Sequence, residues 1–238
     1  MVVSFDEALR SVEKVDGWMT DDQARRLWEH AVGLRAGDQI VEIGSFRGRS
    51  TVILASAAPA GVDLFAIDPH AGNDRGPQEI EGFEEAAAVD HDVFHENLRS
   101  AGVDERVHHL RCFSQAALGD VEGDVDLLYI DGAHRYAPAL ADIRVWGARL
   151  APGGTLLIHD SFSSVGVTLA ILRALAFGRR FRYVGRSQSM TEYQRQLVTG
   201  PERMRNVLAQ LAQLPWFAKN VAIKILIVAK LKKGPWPY

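Results

Sequence analysis

Short apolar runs recur along the chain and alternate with longer segments of helical character. Five of these runs predict strands buried in a sheet: Gln39–Ile43, Asp63–Ile67, Arg106–Cys112, Val125–Ile130 and Thr155–Ile158. Two further strand-like segments, Phe181–Arg186 and Met190–Gln196, follow toward the C-terminus. Strands that alternate with helices indicate an α/β domain with a mostly parallel sheet and helices on both faces. The last two strands are expected to lie antiparallel at one edge.

Helices are predicted before and between these strands. Thr20, followed three residues later by Gln23, is close to a capping box that opens a helix over Asp21–Val32. Ser4 or Asp6 can cap an earlier helix. We interpret Trp18 and Met19 as packing the turn between these two helices. Further helices are predicted from about Ser50, with Arg49 or Ser50 near the N-cap, over Val89–Ala101, from about residue 135 to 150, and near Val165–Phe177.

Composition places the chain among ordinary globular proteins. Of its 238 residues, 47% are hydrophobic and 24% are charged, and the net charge is −3. This charge gives no sign of general nucleic-acid binding. Cys112 is the only cysteine, which excludes an internal disulfide and a cysteine metal cluster. The N-terminal segment has acidic residues where a signal peptide is basic and then apolar, and we see no apolar run of membrane-spanning length, so the cytoplasm is the expected compartment.

The last part of the chain differs in composition from the rest. Basic residues are almost all arginine up to about residue 205, and from Lys219 onward they are all lysine. We therefore divide the chain into N-terminal helices (1–35), a central domain (36–199) and a helical extension (200–238). The extension is too apolar for a free tail, so we expect it to pack on the domain or in a homo-oligomer. Contact with an anionic membrane surface is the less favoured alternative.

A glycine turn follows the first strand and precedes the next helix. Gly44 and Gly48 flank Ser45, Phe46 and Arg47, an arrangement that lets the backbone approach a nucleotide-like ligand closely. The spacing is not the dinucleotide fingerprint, which disfavours a nicotinamide-dependent oxidoreductase. The strand carries Glu42, whose carboxylate can accept hydrogen bonds from an ammonium group. Asp68 ends the second strand, where it can accept hydrogen bonds from ribose hydroxyls.

Polar residues also end the other predicted strands. In an open α/β sheet the ligand lies at the carboxyl ends of the strands, and Glu42, Asp68, Ser114, Asp131 and Asp160 all fall there. Asp131 and Asp160 would repel each other without a cation between them, which favours a hard divalent ion such as Mg²⁺. His134 follows Asp131 by three residues and is suited to take a proton from a hydroxyl group. Asp131 capping the next helix, and an exposed His134, are the alternatives.

The glycine turn resembles a known family. The pattern Glu42-x-Gly44-x-x-x-Gly48-x-Ser50 resembles the first motif of class I methyltransferases that use S-adenosylmethionine (SAM). Residues 127–136, Leu-Ala-Pro-Gly-Gly at 150–154 and His-Asp-Ser at 159–161 look like the metal-dependent sugar O-methyltransferases, with the macrolide-sugar methyltransferases as the model and cephalosporin-hydroxylase-type proteins sharing the pattern. This resemblance covers roughly residues 15–195.

The resemblance implies a class I methyltransferase fold, a Rossmann-like sheet, in which the N-terminal helices lie over the SAM site. It implies that Asp131, His159 and Asp160 bind Mg²⁺ and that His134 is the catalytic base. His159 departs from the family, because an acidic residue is usual there. The residues expected to contact SAM are Glu42, Gly44, Ser45, Gly48, Ser50, Asp68 and Ser114. At Ser114 related enzymes often carry a Gly-Asp pair, so a hydrogen bond from Ser114 and packing of Phe113 on the adenine replace the common contacts.

The sequence is less specific about the identity of the methyl acceptor and about the roles of the remaining segments. The length and composition are similar to actinobacterial enzymes that cap the reducing-end hydroxyl of methylmannose polysaccharides, which implies a mannose oligosaccharide precursor as acceptor. A phenolic acceptor, or a SAM-binding module without catalysis, are the alternatives. The polar loop that begins at Pro69 is expected to act as a lid that contributes to acceptor binding. His70, His91, His95, His108 and His109 show no spacing that suggests a site.

Overall fold

The computed structural model describes residues 3–72 and 89–231. The N-terminal helices are α1 (Phe5–Ser11) and α2 (Asp21–Val32). Ser4 with Glu7, and Thr20 with Gln23, form complete capping boxes at their N-termini, as the sequence predicted. The expected lid lies mostly at residues outside the described ones.

Seven strands and four helices form the central domain in the described residues. The strands are β1 (Gln39–Ile43), β2 (Asp63–Ile67), β3 (Val107–Leu110), β4 (Val125–Ile130), β5 (Leu150–Ile158), β6 (Phe181–Ser187) and β7 (Met190–Arg195). The helices are α3 (Arg49–Ala57), α4 (Asp90–Ser100), α5 (Tyr136–Ala148) and α6 (Val165–Ile171), which continues as one π-helical turn over Leu172–Ala176. Short 3₁₀ turns lie at Asp104–Arg106 and Ala116–Gly119.

The strand order is β3-β2-β1-β4-β5-β7-β6. The first five strands are parallel, and β7 and β6 are antiparallel at one edge. The α/β class and the antiparallel edge are therefore confirmed. α3 begins at Arg49 with Gly48 as its N-cap residue, so Arg49 and Ser50 lie near the N-cap as predicted. The fifth strand was predicted to begin at Thr155, and this boundary was wrong, because β5 already begins at Leu150.

The register brings the ends of the central strands to one line. Ile43 of β1 pairs with Ile67 of β2 and with Ile130 of β4, and Ile130 pairs with Ile158 of β5. The residues that follow these four isoleucines are Gly44, Asp68, Asp131 and His159. Side chains distant in the chain therefore meet along one edge of the sheet, where ligands bind in folds of this type.

Apolar side chains form a core on each face of the sheet. One core lies under α1, α2, α3 and α4 and includes Leu27, Ile53 and Phe94, all fully buried. The other lies under α5 and α6 and includes Trp146 and Phe162. These cores hold the strands in register, so the polar residues at the strand ends stand on a rigid base.

The C-terminal extension forms two helices, α7 (Gly200–Leu211) and α8 (Leu214–Val228). The Asn220 Nδ2 donates to the Phe162 carbonyl oxygen at 3.2 Å, and the Arg186 guanidinium lies 3.9 Å from the centre of the Trp216 ring. Taken together, α7 and α8 (residues 200–228) are long and apolar enough to cross a membrane, by length and composition only. Of their most apolar window, 6% is buried. The 15 residues of α8 by themselves are fewer than the roughly 20 that a spanning helix needs.

Candidate functional site

A cavity of about 1400 Å³ opens at the carboxyl ends of the central strands. The turns after β1, β2, β4 and β5 form its floor. Residues Asp16–Met19, ahead of α2, form one wall, and Val221, Ile225 and Val228 of α8 form another. Ligand sites in proteins usually measure about 300–1000 Å³. The cavity therefore has room for two ligands side by side.

The turn after β1 packs directly on the turn after β4. Gly44 has φ +87°, and a Cβ atom there would overlap the Asp131 carbonyl oxygen and lie 2.7 Å from the Gly132 nitrogen. Gly48 has φ +84°, and a Cβ atom there would lie 2.9 Å from Leu98 Cδ1. Only glycine fits both positions, so these residues set the path of the backbone around the cavity.

Glu42 lies beneath the cavity and not in its wall. The carboxyl group is fully buried, and its two oxygens accept hydrogen bonds from the hydroxyl groups of Ser50 and Thr51. Burial raises the pKa of Glu42 to about 7, against the effect of these two hydrogen bonds. Glu42 does not line the cavity, and both of its oxygens are engaged, which disagrees with the predicted direct contact with an ammonium group. Ser50 lines the cavity, but its hydroxyl group donates its hydrogen bond to Glu42.

Ser45 and Trp18 are better placed to meet a ligand. Ser45 lines the cavity, and its buried hydroxyl oxygen has no hydrogen-bond partner among the described residues. Trp18 is 52% exposed, lines the cavity and stacks on Phe46 with 5.5 Å between ring centroids. The interpretation of Trp18 as turn packing was therefore wrong, whereas Met19 is buried in the core as expected.

Asp68 stands at the end of β2, as predicted, and holds two backbone turns. Its Oδ2 accepts from the Phe46 nitrogen at 2.8 Å, and its Oδ1 accepts from the His70 nitrogen at 2.7 Å. Phe46 and His70 both have positive φ angles, +46° and +47°. Such strained residues persist where the surrounding structure enforces them, and they cluster at functional sites.

Ser114 lines the cavity next to an exposed Phe113. The Ser114 hydroxyl group donates to Asp142 Oδ1. Burial raises the pKa of Asp142 to about 6, and the hydrogen bond from Ser114 opposes this shift. Because its proton is already donated, Ser114 can offer an adenine only its oxygen lone pairs. The adenine contacts of Phe113 and Ser114 stay predictions.

Four titratable side chains meet where β4 and β5 end. The His134 Nε2 lies 2.8 Å from Asp160 Oδ2. The His159 Nδ1 lies 3.1 Å from Asp131 Oδ1 and 3.3 Å from Asp160 Oδ2. The Tyr129 hydroxyl donates to Asp131 Oδ2 at 3.0 Å. We call Asp131, His134, His159 and Asp160 the carboxylate–histidine cluster, and the sequence predicted all four as site residues.

His159 is a buried cation in this cluster. Its Nδ1 faces two carboxylates, and its Nε2 lies 3.3 Å from the Gln23 Oε1, which also accepts from the Thr20 nitrogen. Because both ring nitrogens face acceptors, both carry protons. Burial lowers its pKa, but the charges of Asp131 and Asp160 outweigh burial and raise the pKa to about 10. A doubly protonated imidazole has no lone pair for a metal ion, so His159 would have to lose a proton to bind one, and its ligand role stays a prediction.

His134 has a different environment from His159. Burial lowers its pKa, and the hydrogen bond and charge of Asp160 outweigh this effect and raise it. The His134 side chain is 31% exposed and lines the cavity. Asp131, His134 and Asp160 offer ligand atoms that all lie within 4.8 Å of one another, which makes them a candidate group for a metal ion. His134 and His159 therefore both lie beside the carboxylates, and His134 is the histidine of the two that belongs to this candidate ligand group.

The alternatives for Asp131 and His134 are not supported. Helix α5 has Arg135 as its N-cap residue, without a side-chain cap, so Asp131 does not cap it. His134 precedes the helix and contacts Asp160 instead of standing free in the first turn.

Sequence reasoning missed three contributors to the site. Gln23 joins the α2 capping box to His159, a contact that depends on how α2 packs on the domain. Tyr129 binds Asp131 from two residues earlier on the same strand, and this spacing was the available signal. Lys224 of α8 lines the cavity; burial lowers its pKa, and the charge of Asp160 opposes that shift.

Comparison with known proteins points to one family. A family model described as a methyltransferase domain matches residues 41–161, about half of the chain. The matched segment runs from β1 to just after β5 and includes the glycine turn and the whole carboxylate–histidine cluster. The uncharacterized protein y4gI of Sinorhizobium fredii is 30% identical over 129 residues, which are 52% of this chain. The chain spans only 13% of the length of that relative.

Solved structures of low sequence identity share the fold. TomG of Streptomyces achromogenes, an O-methyltransferase involved in tomaymycin synthesis and solved in complex with SAM, is 19% identical with a TM-score of 0.53. The match covers 82% of this chain and 89% of TomG. An O-methyltransferase from Bacillus cereus, solved in complex with S-adenosylhomocysteine (SAH), is 17% identical with a TM-score of 0.53 and covers 80% and 88%. The chain therefore has the fold of SAM-dependent O-methyltransferases, mostly parallel with an antiparallel edge.

Proposed function

The chain belongs to the methyltransferase domain family, and on this premise we propose that it transfers a methyl group from SAM to a hydroxyl oxygen of a carbohydrate. The observation that carries the proposal is the 2.8 Å contact between His134 Nε2 and Asp160 Oδ2 at the cavity. A base is needed because an alcohol becomes a good nucleophile only as its proton leaves.

His134 is the proposed base, and Asp160 is its positioning residue. Asp160 accepts from Nε2 and holds the proton on that nitrogen, which leaves the Nδ1 lone pair to take the hydroxyl proton of the acceptor. The carboxylate also stabilises the imidazolium ion that forms as the proton arrives. Methyl transfer then needs the oxygen and the methyl donor to be held in line, which is a matter of positioning by the cavity walls.

The residues around the glycine turn fit a SAM molecule. The buried, unpartnered hydroxyl group of Ser45 faces a cavity in which a polar ligand would satisfy it. Asp68 already accepts two backbone hydrogen bonds, but a carboxylate has about four acceptor positions, so it can also accept from ribose hydroxyls. Gly44 lines the cavity and lets the turn pack on Asp131, whereas Gly48 packs on Leu98 and does not line the cavity, so the predicted contact of Gly48 with SAM is indirect. Glu42 supports the SAM site only indirectly, because it accepts hydrogen bonds from Ser50 and Thr51 and so fixes them beneath the glycine turn.

Two carboxylates of the cluster fit a divalent ion. Asp131 and Asp160 offer the oxygen atoms that Mg²⁺ prefers, and both lie within reach of one position because both contact the same His159 nitrogen. A divalent ion held there supplies Lewis-acid polarisation of an oxygen atom. His159 takes the place of a third acidic residue, and its positive charge offsets part of the attraction that the two carboxylates exert on a cation.

The size and lining of the cavity support a large acceptor. About 1400 Å³ exceeds the space that one small ligand needs, and the wall formed by Val221, Ile225 and Val228 gives the ring faces of a sugar an apolar surface. Together with the resemblance of residues 127–136 to sugar O-methyltransferases, this favours an oligosaccharide, such as a mannose oligosaccharide with a free reducing-end hydroxyl, over a flat phenol.

A methyl-transfer assay with labelled SAM tests this function. The acceptors are a mannose oligosaccharide and a catechol, each with Mg²⁺ and with a chelator. We expect label on the oligosaccharide, loss of most turnover with the chelator, and loss in His134→Ala with SAH affinity unchanged. Label on catechol alone would replace the sugar acceptor with a phenol. SAM binding without transfer to either acceptor would favour a non-catalytic module.

We also propose that the enzyme is a homo-oligomer that associates through α8. Two exposed apolar side chains, Leu226 of α8 and Leu231 just beyond its end, do not line the cavity and form the proposed association surface. Burying these side chains against a second copy would remove apolar area from water. Peripheral contact with an anionic membrane remains the less favoured use of this surface.

A further inference from the structure

Four histidines converge near β2 and β3, toward the parallel edge of the sheet, and one of them, His70, also lines the cavity. His70 follows β2, His91 and His95 lie on α4, and His109 lies in β3. In the sheet, β3 and β2 are separated from β4 and β5 by β1, so this group does not overlap the proposed catalytic cluster. We call these four residues the histidine cluster. No role was predicted for it, because its members come from separate elements of the chain.

The rings of the histidine cluster lie close enough to share one ion. His91, His95 and His109 offer ring nitrogens that lie within 4.8 Å of one another. The ring centroids are 4.8 Å apart for His91 and His95, 5.1 Å for His95 and His109, and 5.3 Å for His91 and His109. Tetrahedral coordination with nitrogen ligands at about 2.0–2.1 Å would draw the nitrogens to about 3.3 Å from one another.

The helix spacing presents two of these rings on one face. His91 and His95 are four residues apart on α4, so their side chains lie above one another on the same side of the helix. This side faces β3 and meets His109. Two ligands from one helix turn and a third from a strand form a site whose geometry is fixed by the packing of α4 on the sheet.

A carboxylate lies next to the Nδ1 atom of each of the two helix imidazoles. The His95 Nδ1 lies 3.2 Å from Asp104 Oδ1, and the His91 Nδ1 lies 3.3 Å from Asp92 Oδ1. Each contact keeps a proton on Nδ1 and leaves Nε2 as the nitrogen with a lone pair. Histidines that bind metals usually have such a partner on their second nitrogen, which fixes the ring and increases its basicity. This is a second observation, independent of the ring distances, that points to a metal ligand role.

The histidine cluster packs against a buried aromatic side chain, and two of its rings are partly exposed to solvent. Phe94 is fully buried and packs against the rings of His70, His95 and His109. His70 lies 3.1 Å from His109, measured between their Nε2 atoms, and holds the His109 ring in place. The side chains of His91 and His95 are 26% and 31% exposed, so an ion can reach them from solvent.

We propose that His91, His95 and His109 bind a transition-metal dication of the zinc class, with His70 as a positioning residue. Imidazole nitrogen suits Zn²⁺, Cu²⁺ and Ni²⁺, whereas Mg²⁺ takes oxygen ligands, so this site and the carboxylate pair Asp131 and Asp160 select different ions. The bound ion joins α4 to β3 and stabilises the part of the domain that carries Asp68 and His70. The proposal does not depend on the methyl-transfer reaction.

Zinc binding by the metal-stripped full-length protein tests the proposal. We use an Asp131→Asn/Asp160→Asn background, so that the carboxylate cluster does not compete for the ion. Titration calorimetry with ZnCl₂ should show one equivalent bound, and CoCl₂ should give the visible absorption of a nitrogen-ligated ion. His91→Ala and His95→Ala should each weaken zinc binding at least tenfold, and the melting temperature of the background protein should rise with ZnCl₂ but not with MgCl₂.

His108→Ala is the matched control on the same strand. His108 neighbours His109 in β3, but its ring stacks on Phe65, and its side chain is 57% exposed beside Asp63. This variant should bind zinc as tightly as the background. The absence of a stoichiometric zinc site, or equal affinities in His91→Ala and His108→Ala, would overturn the proposal. Because His91 is half-exposed, His91→Ala should fold normally, and circular dichroism without metal checks this.

Discussion

The His134 Nε2 lies 2.8 Å from Asp160 Oδ2, and this contact joins the turn after β4 to the turn after β5. The Asp160 side chain is itself held in place by a neighbouring residue. Its Oδ1 accepts from the Ser163 hydroxyl at 2.8 Å, and its backbone has the strained φ angle of +54°. A carboxylate fixed in this way sets both the tautomer and the orientation of the imidazole, as the proposed roles of His134 as base and Asp160 as positioning residue require.

The first prediction concerns this pair. His134→Ala should lower kcat by roughly 10²- to 10⁴-fold, the usual contribution of a general base, and leave SAH affinity unchanged. Asp160→Asn keeps the shape of the side chain but allows the wrong tautomer, and it should lower kcat by a similar order. Steady-state kinetics with SAH titrations measure both effects. If the residues act as a unit, the double variant should be no slower than the worse single variant. Multiplied losses in the double variant would show that they act independently.

The second prediction concerns His159, whose charge occupies the space between Asp131 and Asp160. His159→Asp places a third carboxylate there, as in related enzymes, and should increase Mg²⁺ affinity by about 10-fold or more because the local negative charge increases. Without metal, repulsion among three carboxylates should lower the melting temperature. Calorimetry with MgCl₂ and thermal unfolding with and without chelator measure the two effects.

His159→Asn is the control for that variant, because it removes the positive charge without adding a negative one. It should give an Mg²⁺ affinity between the wild type and His159→Asp. Should the aspartate variant bind Mg²⁺ no more tightly than the asparagine variant, the carboxylate pair is not the metal site.

The strand ends were predictable from the sequence because parallel pairing leaves little freedom. Once Gln39–Ile43, Asp63–Ile67 and Val125–Ile130 are recognised as neighbouring strands, Asp68 and Asp131 must lie along one edge. The glycine turn was predictable from its place between a strand and a helix, but the sequence did not show that Gly44 is also required by the approach of the Asp131 carbonyl group. These features follow from local pattern and general topology.

The roles of individual side chains were harder to predict, because they depend on packing between distant elements. Glu42 was expected to meet the ligand, but Ser50 and Thr51 of α3 bind both of its oxygens beneath the turn. The charge on His159 depends on Asp131, Asp160 and Gln23, which come from three elements. The histidine cluster had one sequence signal, the four-residue spacing of His91 and His95 on a predicted helix, but the contribution of His109 depends on how α4 packs on β3.

The third prediction is a pH dependence of stability that arises from Glu42. Burial raises its pKa to about 7, despite the hydroxyl groups of Ser50 and Thr51, and the charges of Asp131 and Asp68 add to the rise. A raised folded-state pKa gives stability that is present below the unfolded pKa of about 4.5 and is lost as the pH rises through about 7. The free energy of unfolding should therefore fall between pH 5 and 8 relative to Glu42→Gln, by on the order of 3 kcal/mol.

Denaturant unfolding of both proteins at several pH values measures this difference. Glu192→Gln is a control with the opposite sign: burial raises the pKa of Glu192, but the hydrogen bond and charge of His30 and the charge of Arg26 outweigh burial and lower it. Its contribution is present above its unfolded pKa and is lost as the pH falls through its lower folded value. A wild-type pH profile parallel to that of Glu42→Gln would contradict the raised pKa.

The fourth prediction tests the proposed oligomer surface. Leu226 of α8 is 40% exposed and does not line the cavity, so Leu226→Asp should disrupt association while leaving the active site intact. Sedimentation velocity should change from a dimer to a monomer, with unchanged SAH affinity. Leu197→Asp, at an exposed position outside α8, should leave the sedimentation coefficient as in the wild type. A monomeric wild type, or a dimer that survives Leu226→Asp, would remove α8 as the interface.

The fifth prediction separates steric crowding from backbone strain at the glycine turn. Gly44 and Gly153 have nearly the same φ angle, +87° and +86°, but a Cβ atom at Gly153 meets no atom within 4 Å, whereas one at Gly44 overlaps the Asp131 carbonyl group. Gly153→Ala should therefore cost about 1–2 kcal/mol from the backbone conformation alone. Gly44→Ala should cost about 2–5 kcal/mol, because overpacking adds to the same strain.

Chemical denaturation of the two alanine variants measures this difference, and turnover adds a second readout. Because the added methyl group pushes on the turn that carries Asp131, Gly44→Ala should also lower turnover in the fraction that remains folded, whereas Gly153→Ala should keep the wild-type rate. A displacement of about 1 Å at a reacting group can cost about 10²-fold in rate. Equal stabilities and equal rates in the two variants would mean that the turn after β4 can move away from Gly44 freely, and the cluster would then not be rigidly positioned by the approach of these two turns.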